Sequence, residues 1–259
     1  MLQFDEQDSR QIEATYTTAD MVEQRRIVLD RLAPRAGQTI LDIGSGPGFL
    51  ACELAVAVGP TGRVHGVDPS EAMLAMARSR DCGPNAAPVE YSTGTAGRLP
   101  FPDSTFDIVT ATQVYEYVPD IDEALAEAHR VLRPDGQLLA LDTDWDSIVW
   151  HSSDPERMRR VLAAWDEHLA DPYLPRRLMA RLETAGFTVT HRSTIPLFST
   201  GYDDDSFSAG LIRTVAGYVP GHGDVTDQEA DAWARDLAAL GHDYFFSLNR
   251  YVFLATKPA

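Results

Sequence analysis

The sequence predicts an α/β fold, a doubly wound and mainly parallel sheet with helices on both faces. Three observations lead there. Short apolar runs at 39–43, 63–67, 88–92, 106–111 and 136–142 read as strands, and helical stretches at 48–58, 70–79 and 121–132 lie between most of them. The first of these strands runs into "GSGPG", with glycines at 44, 46 and 48, and then into a helix. The length of 259 residues accommodates one large α/β domain or two small ones, with a substantial core.

The elements follow in order. A polar opening leads to a helix from about Asp20 to Leu32, with Met21, Val22, Ile27, Val28 and Leu29 as its apolar positions. The alternating strands and helices come next. In "LRPDGQLLALD", Pro134 to Gly136 ends a helix, and Gln137 to Leu141 begins the next strand. Beyond residue 150 the rhythm breaks. Helices are expected at about 155–169 and 175–185, the second ending at Gly186, then a strand at 187–195 and a final strand in "SLNRYVFLATKP". The segment 200–245 separates those last two strands. It holds a helix at 226–240, N-capped by Thr226 with Glu229 at capping-box spacing. So long a connection inside a compact sheet reads as a lid or a binding element.

Charge and composition narrow the function classes. A formal net charge of −17 argues against a nucleic-acid polyanion as substrate or partner. No apolar run approaches the roughly 18 residues that span a bilayer, and "MLQFDEQDSR" lacks a signal peptide's order. Cys52 and Cys82 form no CxxC pair and no metal-ligand cluster, so the chain reads as cytoplasmic with free thiols. The expected partner is a small molecule, with no nucleic acid and no membrane. Oligomeric state is open, and a homodimer is compatible with this reading.

The glycine loop admits two readings. Gly46, Gly48 and Ala51 satisfy a G-x-G-x-x-A dinucleotide frame, which alone would suit an NAD(P)-dependent oxidoreductase. The charges favour another ligand. Asp42, two residues ahead of Gly44, would repel a pyrophosphate but attract an ammonium or sulfonium group. Asp68 ends the next strand in "VHGVDPS", where a carboxylate hydrogen-bonds ribose hydroxyls. A cationic amino-acid end joined to a ribose describes S-adenosylmethionine.

Five stretches in order, "LDIGSGPG" (41–48), "VHGVDPS" (64–70), "GRLPFPDSTFDIV" (97–109), "YEYVPDIDEALAEAHRVLRPDG" (115–136) and the strand after them, carry a resemblance. The chain resembles the class I S-adenosylmethionine-dependent methyltransferases, within them the ubiquinone/menaquinone-biosynthesis type of small-molecule enzyme. The resemblance implies a Rossmann-like methyltransferase fold, seven-stranded, whose antiparallel last strand is inserted beside the sixth, with a helical lid. It implies that Asp42, Gly44, Ser45, Gly46 and Gly48 hold the methionine end, that Asp68 holds the ribose with Pro69 and Ser70 nearby, and that Gln113 and Val114 neighbour the cofactor. One departure stands out. Where the family often has Gly-Asp-Ala before "LPF", this chain reads "GTAGRLPF", so Thr95, followed by Ala96, occupies the adenine-accepting position. The resemblance divides a single methyltransferase domain into an N-terminal helical segment over the cofactor (1–35), a cofactor-binding core (36–145) and an acceptor side (146–259).

The acceptor-side candidates are Tyr16, Tyr117, Trp145, Arg213 and Tyr218, with Gln24 toward the cofactor. Tyr117 and Tyr115 also fit a core role. No catalytic residue is fixed; Tyr16 and Glu116 are the candidates, and a solvated or capping role competes for Glu116. Asp142, Asp144 and Asp146 are expected to face different ways, so no metal site is assigned. His222 reads as a surface residue and His129 as structural. Methyl transfer is a displacement in line with the sulfonium that needs positioning above all, and a base only where the acceptor is protonated. The expected chemistry is metal-independent transfer to a C, N or O atom. A cofactor-binding protein with lost or altered chemistry, a sensor or a cyclisation or rearrangement catalyst, is the alternative.

Overall fold

A computed structural model describes residues 13–259. Residues 1–12, which belong to the N-terminal segment expected over the cofactor, lie outside the described residues. The elements are α1 (Ala19–Leu32), β1 (Thr39–Ile43), α2 (Phe49–Val58), β2 (Arg63–Asp68), α3 (Glu71–Ser79), β3 (Val89–Thr93), β4 (Phe106–Thr112), α4 (Ile121–Val131) and β5 (Leu132–Thr143). The second half contributes β6 (Val149–Trp150), α5 (Pro155–Asp166), α6 (Pro175–Thr184), β7 (Thr188–Thr200), α7 (Phe207–Tyr218), α8 (Asp227–Ala239) and β8 (Phe245–Thr256).

The strands form one sheet of eight in the order β3-β2-β1-β4-β5-β8-β6, with β7 on the other side of β8. The first five strands are parallel, and β8 runs antiparallel to β5, β6 and β7. The expected inserted antiparallel last strand is therefore present, with the two-residue β6 as an eighth strand. The chain reverses direction in sheet order between β1 and β4, so a crevice opens at the C-terminal ends of β1, β2 and β4, where open α/β sheets bind ligands.

Three sequence expectations are corrected. "RPDG" is not a turn between helix and strand: β5 starts at Leu132, which pairs with Phe106, and the register shifts before Ile108 meets Gln137. Asp135 takes up the irregularity at φ +61°, its N–H donating to Lys257 O at 2.9 Å. A helix, α7, also occupies part of the 200–245 connection; Gly210 and Gly217 weaken its local signal, and its start is fixed by Ser206, whose side chain accepts from Ala209 N. Finally, Cys52 and Cys82 are not free thiols. Packing of α2 beside the chain that leaves α3 brings their Cα atoms to 5.0 Å in a disulfide, a pairing no short motif announces.

The expected cap holds: Thr226 accepts from Glu229 N at 3.2 Å at the start of α8. Ser70, not read as a cap from the sequence, likewise accepts from Met73 N at 3.3 Å at the start of α3. The core has three parts. Leu41, Val109, Leu125, Leu138 and Leu178 fill one face of the sheet against α4 and α6. Val28, Ile40, Leu54, Ile108 and Val252 fill the other against α1 and α2. Trp150, Trp165, Val215, Trp233 and Phe246 form a third part beneath α5, α7 and α8. That last cluster anchors the late helices above the C-terminal end of β5.

Candidate functional site

The loop after β1 is shaped by glycine. Gly44, Gly46 and Gly48 have φ of +64°, +50° and +81°, values that side chains rarely adopt. Space enforces the same choice at two of them. A Cβ on Gly44 would overlap Val114, and one on Gly48 would stand 2.6 Å from Tyr91 Oη and 2.9 Å from Ala77 Cβ. Peptide N–H groups of Gly44 and Ser45 both donate to Val67 O, at 2.7 and 3.1 Å, which ties the loop to the end of β2.

Two buried carboxylates flank this loop. Asp42 accepts from Thr110 Oγ1 at 2.7 Å. Burial pushes its carboxyl up to about 7 against that hydrogen bond, and the charge of Asp68 adds to the rise. Asp68 accepts from Gly46 N at 2.9 Å and from Ser70 N at 2.8 Å. Its carboxyl is also raised, first by burial, with the two peptide donors holding it down. Pro69 is exposed and Ser70 half-buried beside it, while Ser45 Oγ is buried without a partner. Beyond β3, Thr95 is exposed, its carbonyl accepting from Arg98 N at 3.0 Å, and Ala96 is buried.

Tyr16 faces this region from the N-terminal segment. Its ring stacks on Phe49 at 5.9 Å, Arg25 donates to its carbonyl at 2.8 Å, and its hydroxyl is 3.8 Å from where a Gly46 Cβ would stand. The residue is 36% exposed, and the charges acting on its hydroxyl are Arg250, Asp68, Asp42 and Arg25. The structure therefore brings Tyr16 to the glycine loop. Gln24 instead turns to Arg250, whose Nη1 donates to its Oε1.

The end of β4 supplies the wall opposite. Gln113 is held at φ +58°, a strained conformation for a residue with a Cβ. Its N–H donates to Leu141 O at 2.6 Å and its Oε1 accepts from Thr143 Oγ1 at 2.7 Å. Val114, packed on Gly44, donates its N–H to Asp142 Oδ1 at 3.0 Å, and Glu116 N donates to the same oxygen at 3.3 Å. Glu116 is fully buried, with Oε2 accepting from Thr143 N at 3.0 Å. Burial pushes its carboxyl up to about 7, against the Thr143 N–H, the Arg250 charge and the Trp145 indole. Asp142 is raised too, by burial and then by Glu116.

Tyr117, Trp145 and Tyr218 meet around His168, with ring centroids 5.6, 5.9 and 5.4 Å from its imidazole. Trp165 is closer still, at 3.7 Å, and His222 stacks on Tyr218 at 4.2 Å. Burial lowers His168 to about 4, so its ring is neutral at physiological pH, and its Nε2 is buried without a partner. Arg213 does not join this group: it is exposed and donates to Asp204 O at 3.3 Å. Asp144 and Asp146 do not face different ways. The 3₁₀ turn after β5 swings both onto Arg176, at 2.6 and 2.7 Å, while Asp142 accepts from Val114 N and Glu116 N. His129 packs edge-on against Phe187 at 5.1 Å.

His168, Trp165 and Arg250 were not singled out from the sequence. Trp165 and His168 sit three residues apart, the spacing of one helical face, in a stretch that reads as ordinary helix. Arg250 had a signal: on β8 it shares a face with the buried Phe246, Leu248 and Val252, so a charge stands at a core position.

The donor set suits a cationic nucleoside. Two buried carboxylates whose ionisation is resisted by burial gain from a positive ligand group, and a loop closed to side chains lets backbone approach it. The comparisons agree. The family profile described as a methyltransferase domain matches residues 41–140. The chain is 35% identical over 243 residues, 89% of its length and 66% of the relative's, to an uncharacterized 37.1 kDa protein in transposon Tn4556 of Streptomyces fradiae. It is 42% identical over 120 residues to the ubiquinone/menaquinone biosynthesis C-methyltransferase UbiE of Escherichia coli, spanning 46% of this chain and 47% of UbiE. Among solved structures, phosphoethanolamine N-methyltransferase 2 of Haemonchus contortus, in complex with S-adenosyl-L-methionine, superposes with a TM-score of 0.62 over 99% of this chain and 58% of its own. At 20% identity that likeness concerns the fold. The chain spans two thirds or less of these curated relatives, and over residues 41–140 it carries a methyltransferase domain like that of the class I S-adenosylmethionine-dependent enzymes.

Proposed function

We infer that the protein transfers the methyl group of S-adenosylmethionine to a C, N or O atom of a small, partly aromatic metabolite, without a metal, by in-line displacement. The observation that carries this is the pair Asp42 and Asp68 flanking the glycine loop, each buried and each raised by burial. Asp42 with the backbone of Gly44, Ser45, Gly46 and Gly48 would hold the cationic amino-acid end. Asp68 would hold the ribose, its two oxygens already oriented by Gly46 N and Ser70 N. Thr95 and Ala96 would face the adenine, and Gln113 and Val114 the reacting centre. The bound cofactor supplies a methyl carbon activated by its sulfonium. Tyr117 and Trp145 from the end of the core, with Tyr218 from residues 146–259, would form an aromatic wall for a flat apolar acceptor.

Calorimetry with S-adenosylhomocysteine on the wild type and on Asp68→Ala tests the reading. Micromolar binding by the wild type and a loss of about tenfold or more in the variant are expected, since a charged hydrogen-bond acceptor is removed. Wild-type protein that neither binds this nucleoside nor releases it from S-adenosylmethionine across a broad acceptor panel would end the proposal.

A further inference from the structure

Thr143 closes β5 with three polar side chains gathered around it. Its Oγ1 donates to Gln113 Oε1 at 2.7 Å, its N–H donates to Glu116 Oε2 at 3.0 Å, and Arg250 is its cross-strand partner on β8. Each of the three keeps one buried polar atom without a partner, Gln113 Nε2, Glu116 Oε1 and Arg250 Nε, and Trp145 Nε1, the indole donor that bears on Glu116, is buried and unpartnered as well. Glu116 is fully buried and Arg250 is 5% exposed.

Arg250 is an unusual cation. Its Nη1 meets Gln24 Oε1 and Met21 Sδ, and its guanidinium lies over the Phe207 ring at 4.9 Å. The groups facing it are Glu116 from the β4–α4 connection, Tyr117 beside it, Tyr16 from the N-terminal segment and Asp20 of α1. Asp142 of β5 faces Glu116 from below. Among the described residues, Arg250 closes a salt bridge with none of these. A buried guanidinium and a buried carboxylate that face one another without meeting leave both desolvated. One ligand oxygen between them would satisfy both, accepting from Arg250 Nε and giving its hydrogen to Glu116 Oε1, with Gln113 Nε2 as a second donor. The position is also the right one, because Gln113 and Val114 form the wall that touches Gly44 of the glycine loop.

The geometry points to Arg250 as the residue that holds an ionisable oxygen of the methyl acceptor, with Glu116 receiving its proton. This rests on the methyltransferase reading above. In the step, the acceptor O–H bond breaks and its proton passes to Glu116 Oε1. The oxygen, or a carbon conjugated with it, forms the bond to the methyl carbon, the carbon–sulfur bond breaks, and its electron pair stays on sulfur as a neutral thioether. Where carbon attacks, the C–H bond at that carbon then breaks, its proton goes to solvent, and the oxygen takes a proton back. The proton leaves Glu116 for solvent after the products depart. Arg250 stabilises the oxygen's negative charge as it develops, a role for a preorganised donor in a dry site.

The test uses the full chain loaded with S-adenosylhomocysteine, its binding established first by calorimetry. 4-Nitrophenol and 4-nitroanisole are then titrated, the first with and the second without an ionisable oxygen. The wild type is expected to prefer the phenol by about tenfold or more, the worth of one hydrogen bond to a charged group. The bound phenol should show its ionised visible band at a lower pH than in free solution. Arg250→Met should lose the preference while retaining S-adenosylhomocysteine affinity within about threefold. The visible band is read on the wild type alone, so the proposal stays open to refutation even where Arg250→Met does not fold. Wild type that binds the phenol no better than the anisole, or not saturably, overturns the proposal, as does a bound phenol that stays neutral or a preference that survives in Arg250→Met. Failure to bind S-adenosylhomocysteine removes the methyltransferase reading itself and this proposal with it, which separates the two.

Discussion

Thr110 Oγ1 donates to Asp42 Oδ1 at 2.7 Å, among the described residues the one side-chain hydrogen bond that holds the carboxylate at the floor of the glycine loop. It joins β4 to β1 under the ligand crevice and does not overcome the cost of burying the charge, since Asp42 still rises to about 7.

A pH signature follows for the ligand-free protein. The folded pKa of Asp42 lies above its ordinary 3.8, so its contribution to stability is complete below 3.8 and is lost as pH rises through about 7. A cationic ligand reverses the preference, because it binds the ionised form. Asp42→Asn should melt about 2–4 °C higher than wild type at pH 8 without ligand, about 1 kcal/mol for a chain of this size. It should also bind S-adenosylhomocysteine more weakly, without the wild type's gain in affinity through neutral pH. Paired melting curves and calorimetry across that range decide it.

Gly48→Ala places a methyl group where Tyr91 Oη and Ala77 Cβ already stand, at a backbone φ of +81°. Strain and overlap together should cost about 2–4 kcal/mol in stability. S-adenosylhomocysteine affinity should fall with it, because the residue is the N-cap of α2 and the last turn of the loop. Urea denaturation reads the first effect and calorimetry the second.

His168 gives the opposite pH dependence from Asp42. Its folded pKa of about 4 lies below its ordinary 6.5, so its contribution is complete above 6.5 and is lost as pH falls toward 4. His168→Phe keeps a ring against Tyr117 and Trp145 but cannot be protonated. The variant should lose less stability than wild type between pH 6.5 and 4, measured as the slope of unfolding free energy against pH.

Asp135 sits at φ +61° in the irregular start of β5 and is exposed. Asp135→Gly removes the left-handed strain while its N–H keeps Lys257 O. A gain of about 0.5 kcal/mol, or about 1–2 °C in melting temperature, is expected. A loss instead would place the bulge's stability in the aspartate itself.

The sheet was legible because its signals are local. Short apolar runs and the glycine turn need only neighbouring residues, and Thr226 caps its helix within three positions. Asp42 and Asp68 were legible for the same reason, each at the end of a strand next to a turn. What escaped depends on distant chain meeting. Cys52 finds Cys82 only after α2, β2 and α3 have packed. Arg176 gathers Asp144 and Asp146 from 30 residues away or more. Arg250 reaches Gln24 across 226 residues, and its inward position on β8 was visible but had no partner in sequence. Arg213, polar and on a lid helix, carried the right chemistry on the wrong side of α7.

The bond between Cys52 and Cys82 closes a ring of chain that contains the whole of β2, α3's helical turns and Asp68. When the sulfurs are joined, β2 cannot peel from the sheet without carrying the helix that leaves the glycine loop. Amide hydrogens on the two sides of the ligand crevice should then exchange with solvent as a single cooperative unit. With the bond reduced, the same amides would be free to open separately, so the redox state of two sulfurs remote from the acceptor decides whether the nucleoside site breathes as one piece or as two.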